Sequence, residues 1–85
     1  MMNREFRDEL LRDLTELMED LTRIESLLKT FEKKYGMSSE EFAEKFDKME
    51  LKPERDFISW HAHYLGYKGL LKRRDELFEK LGLKF

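Results

Sequence analysis

LLRDLTELMEDLTRIESLLKTFEKKY, residues 10–35, places eight apolar residues on an alternating 4-3 spacing: Leu10, Leu14, Leu17, Leu21, Ile24, Leu28, Phe31 and Tyr35. That spacing is a heptad seam along one face of a single long helix, and such a face must be covered by another helix. Phe6, Leu11, Met18 and Leu27 widen the stripe beyond a narrow two-stranded seam, so the helix is expected to meet more than one neighbour. No Gly or Pro interrupts the stretch, and good helix formers dominate it. The expected helix spans residues 3–35, with Glu5, Asp8 and Glu9 near its start and Lys33 and Lys34 in its last turn, each complementing the helix dipole. Gly36 is placed to end it in a left-handed conformation.

Working outward, Ser38 followed by Glu41 reads as a capping box, with Met37 positioned to staple onto Phe42. A second helix is expected over 39–50, with Phe42, Phe46 and Met49 as its apolar stripe. Leu51, Lys52 and Pro53 break the chain, and Pro53 suits the first turn of a third helix over 53–81. There Phe57, Trp60, Tyr64, Tyr67, Leu71, Phe78 and Leu81 form a 3-4 series whose missing member is Arg74. Gly66 and Gly69 interrupt good helix formers, and the period across them points to close approach of another backbone rather than a bend. Gly82 ends the element.

These signals give one all-α domain over residues 1–85: a long helical hairpin with a short connecting helix. Eighty-five residues bury a modest core, so dimerisation into a four-helix-bundle-like or coiled-coil core is expected, with a tetramer as the competing state. In that arrangement Leu10, Leu14, Leu17, Leu21, Ile24, Leu28 and Phe31 form the oligomer interface. Tyr64, Tyr67, Leu71 and Phe85 are the candidate contacts for a protein partner, the tyrosines because they combine large apolar area with one polar handle.

Composition narrows the function. Charged residues make up 42% of the chain with a net charge of -2, so no global attraction to nucleic acid or anionic membrane is built in. There is no cysteine, no apolar run long enough to span a bilayer and no basic-then-apolar start, which makes a cytoplasmic location the expectation. Gln is absent and Asn occurs once, a bias suited to a hot environment. His61 and His63 lie two apart and point away from each other on a helix, and no metal-ligand spacing accompanies them, so neither a metal nor a cofactor is expected. Inward positions are apolar, which leaves no place for paired catalytic carboxylates, and enzymatic activity is not expected. Lys72, Arg73 and Arg74 form the densest basic run. Three consecutive helical residues spread around the circumference, so a DNA-binding regulator is the weaker reading. Residues 36–60 hold four basic and seven acidic groups, a balance suited to a basic partner.

The segment Tyr35-Gly36-Met37-Ser38-Ser39-Glu40-Glu41-Phe42, with Phe46, then Asp56, Phe57, Trp60 and Tyr64, resembles small helical proteins of archaea and cyanobacteria. These carry a Tyr-Gly-Met-Ser-x-Glu-Glu-Phe motif and an Asp-Phe-x-x-Trp element, and they are largely uncharacterised, with antitoxin-like members among them. The resemblance spans most of residues 10–81. It implies a protein-interaction module, an antitoxin-like role beside a small co-encoded protein, and no catalytic residues. A self-assembling scaffold is the alternative.

Overall fold

Asn3 starts the first helix as an N-cap: its side-chain oxygen accepts the Phe6 N–H at 2.7 Å. The computed structural model describes residues 3–83. Helix α1 runs Arg4–Tyr35, α2 Ser39–Asp47 and α3 Arg55–Leu81, and no strand is present among the described residues. α1 and α3 pack side by side as an antiparallel hairpin, and α2 lies across its closed end. The result is a rod of 51 × 21 × 20 Å.

Local signals set most of the boundaries. Gly36 is left-handed (φ 66°, ψ 32°) and its N–H returns to the Glu32 carbonyl at 2.8 Å. Ser38 caps α2, its Oγ accepting the Glu41 N–H at 3.1 Å. Gly82 is left-handed, with the Gly82 and Leu83 N–H groups closing on Glu79 and Phe78. Two ends differ from expectation. α2 stops at Asp47 rather than residue 50, because Met49 turns left-handed (φ 59°) and the Met49 and Glu50 N–H groups close on the Phe46 and Lys45 carbonyls. Met49 is consequently 90% exposed and does not extend the α2 stripe. α3 starts at Arg55 behind an extended Glu54, so Pro53 sits in the linker instead of the first helical turn.

The core has two halves. At the open end of the hairpin, Leu10, Leu17 and Leu21 of α1 bury against Leu77 and Leu81 of α3, flanked by Leu14, Tyr67, Leu70 and Leu71. At the closed end, Leu28, Phe42, Phe57 and Trp60 draw on all three helices. Trp60 is wholly buried and stacks on Phe42, with ring centroids 3.9 Å apart and planes 2° from parallel, while Phe31 and Tyr35 cover its other contacts at 5.5 and 5.8 Å.

α1 keeps its heptad line, but α3 does not. Its buried residues begin with Phe57 and Trp60 and end with Leu77 and Leu81, while Phe78 of the expected series is only half-buried. Leu70 and Leu71 both touch the open-end cluster, so the face broadens there, and Leu77 takes the buried place expected of Phe78. α3 is unbroken through Gly66 and Gly69. A Cβ at either glycine would meet nothing within 4 Å, so within the chain neither serves the close backbone approach expected of it.

Candidate functional site

Where α1, α3 and the start of α2 meet, they border an open cleft of about 430 Å3. Glu25, Lys29 and Glu32 line it from α1, Ser38, Ser39 and Glu40 from the α2 start, and Tyr64 and Tyr67 from α3. One wall is built from an interhelical network. The Glu32 carboxylate accepts both the Ser39 N–H (2.9 Å) and the Ser39 hydroxyl (2.8 Å), and Ser39 Oγ in turn accepts the Trp60 indole N–H at 2.9 Å. An acid from α1 thus serves the start of α2, a place where carboxylates are favoured by the helix dipole. Glu41, expected to complete the capping box, reaches Lys45 instead at 3.8 Å.

The opposite wall is aromatic. Tyr67 donates a long hydrogen bond to Glu25 at 3.5 Å. Burial raises the Tyr67 phenol above its ordinary pKa, and the Glu25 carboxylate adds to the effect. Burial does the same for Tyr64, reinforced by Glu40. Both phenols therefore remain neutral donors at any physiological pH. Three carboxylates against one lysine make the cleft acidic, and two half-buried tyrosine rings give it apolar area. That combination suits a cationic side chain flanked by apolar groups.

The expected interface residues fall in two groups. Leu10, Leu17, Leu21 and Leu28 are buried within the chain against α3 and α2, while Leu14, Ile24 and Phe31 are half-buried beside them. Of the expected partner contacts, Tyr64 and Tyr67 come together in the cleft, and Leu71 packs on the open-end cluster. Phe85 lies outside the described residues.

Other candidates are occupied structurally. His61 Nε2 meets Asp47 Oδ1 at 2.9 Å and its ring stacks on Phe46, tying α3 to the end of α2. His63 Nδ1–H donates to the Ser59 carbonyl within α3 at 2.7 Å. In the basic run, Arg73 pairs with Glu76 and Arg74 with Asp75. Among the described residues no three His, Cys, Asp or Glu side chains gather as a metal site, and no helix is long and apolar enough to cross a membrane.

Glu25, Glu32 and Ser39 were not singled out as site residues from sequence. Their one signal was that Glu25 and Glu32 lie seven apart, on the flank of the heptad seam. The chain matches no protein-family model, no curated protein and no solved structure. Its class is defined by architecture alone: an all-α chain in which a short helix closes a long hairpin and borders an acidic, tyrosine-walled cleft.

Proposed function

We propose that this chain is a non-enzymatic, cytoplasmic protein-interaction module whose cleft holds a basic segment of a partner protein, as an antitoxin-like component of a small toxin–antitoxin pair would. The observation that supports this reading is the convergence of Tyr64 and Tyr67 with Glu25, Glu32 and Glu40 on one cleft. The Tyr35–Phe42 and Asp56–Trp60 segments, which resemble largely uncharacterised small helical proteins with antitoxin-like members among them, suggest the same role. In this mechanism the tyrosine rings supply buried apolar area, and the carboxylates select a cationic partner and speed its encounter.

The test is affinity capture from a lysate of the source organism, with the recovered complex sized and its components identified by mass. The expected result is stoichiometric recovery of one small co-encoded protein, weakened by salt and lost in Tyr64→Ala and Tyr67→Ala. Recovery of the 85-residue chain alone, at a discrete multimer mass, would replace this reading with a self-assembling scaffold. The exposed Leu11 and Met18 are the observation that favours that second reading.

A further inference from the structure

The hairpin is unevenly covered. At the closed end α2 adds a third element over Trp60, but the open-end cluster draws only on α1 and α3. Beside that cluster, α1 leaves Leu11 39% and Met18 43% exposed, with Leu14 half-buried between them. At 100° per residue, Arg7, Leu11, Leu14, Met18 and Glu25 fall within about 60° of one another. They form a strip on the shoulder of α1, rotated away from the buried line of Leu10, Leu17, Leu21 and Leu28.

The order of charge along this strip is polar. Arg4 and Arg7 stand at its N-terminal end, apolar side chains fill the middle, and Glu25 stands at the C-terminal end where the acidic cleft opens, with Lys29 one turn beyond it. Such a strip is complementary to itself only when reversed, because a parallel copy would set arginine on arginine and glutamate on glutamate. One register satisfies both parts of it. The midpoint of residues 14 and 18 is residue 16, and so is the midpoint of residues 7 and 25.

We infer that a second copy of this chain covers the α1 shoulder in antiparallel register about a two-fold axis level with residue 16. Leu14 then packs on the partner's Met18, and Arg7 pairs with the partner's Glu25 at the mouth of the cleft. An isologous contact of this kind repeats each favourable pair twice. The favourable run ends at Arg4, which falls beside the partner's Lys29. This arrangement uses surface that the monomer leaves open, and it leaves the heptad seam inside each chain. It does not rest on the cleft holding another protein.

The experiment is sedimentation or light scattering of the full chain at micromolar concentration, with circular dichroism to follow the fold. Wild type is expected at twice the chain mass of 10.4 kDa. Met18→Glu places a charge on an exposed position of the monomer and is expected at one chain mass with helicity retained. Arg7→Glu and Glu25→Arg should each weaken the dimer several-fold, and the double variant Arg7→Glu/Glu25→Arg should restore it. A monomeric wild type, an assembly that survives Met18→Glu, or a double variant no tighter than either single would overturn the proposal. Tyr64→Ala is expected to keep the dimer mass, so loss of partner capture and loss of self-association are read separately.

Discussion

The Trp60 indole N–H donates to Ser39 Oγ at 2.9 Å, across 21 residues of sequence, and the same hydroxyl donates onward to Glu32 at 2.8 Å. One buried serine, 4% exposed, therefore connects all three helices. It gives the closed end a polar register mark inside an aromatic core, where stacking alone would tolerate sliding.

Replacing Ser39 with Ala strands the buried Trp60 indole N–H, while Glu32 keeps the backbone N–H of residue 39 as a donor. We expect a loss of about 1–3 kcal/mol, because an unsatisfied buried group costs its full desolvation. Ser38→Ala, which removes only an exposed helix cap, should cost about 1 kcal/mol. In a Trp60→Phe background the Ser39→Ala cost should shrink, and thermal or chemical denaturation of the four chains measures that coupling.

Asp56 joins the end of α1 to the start of α3, accepting from Lys34 Nζ at 2.7 Å and from the Tyr35 hydroxyl at 2.5 Å. Hydrogen bonds from Lys34 and then Tyr35 hold its carboxyl below the ordinary aspartate range. A carboxyl with a lowered folded-state pKa stabilises fully above its unfolded pKa and loses that contribution as pH falls through the folded one. Lys34 and Tyr35 are both raised, chiefly by their hydrogen bonds to Asp56, so their contributions are lost as pH rises through their folded values in the alkaline range. Asp56→Asn should therefore lower the melting temperature at neutral pH. Its deficit should vanish in strong acid, where wild type is protonated too. A deficit independent of pH would assign the residue to packing instead.

Gly66 and Gly69 sit in an unbroken helix with open space where a Cβ would stand. Gly66→Ala and Gly69→Ala should each stabilise the chain by about 0.5–1 kcal/mol, through reduced freedom of the unfolded state and better helix propensity. Denaturant midpoints of the singles and the double measure this. Destabilisation at either site would show that α3 needs the glycine for something beyond the helix itself.

Much of the fold is legible in the chain because its signals are local. The α1 seam is a repeat within one helix, and the Ser38 cap and the left-handed Gly36 and Gly82 rest on hydrogen bonds that close within five residues; Asn3, expected inside the helix, is its cap. Met49 was not legible as a helix stop, because nothing in a methionine announces a positive φ. Tyr64 and Tyr67 were legible as surface candidates, but the carboxylates that meet them were not, since Glu25 and Tyr67 are 42 residues apart.

The sequence by itself determined that this protein is helical, where its long helices run and which faces need cover. A heptad states that a face must be buried without naming what buries it. Only the tertiary structure assigned the α1 seam to α3 of the same chain and buried Leu77 in place of Phe78. It also brought Glu32, Ser39 and Trp60 into one network. Those choices depend on contacts between residues far apart in sequence, where shape and hydrogen-bond geometry decide among partners that periodicity leaves equivalent.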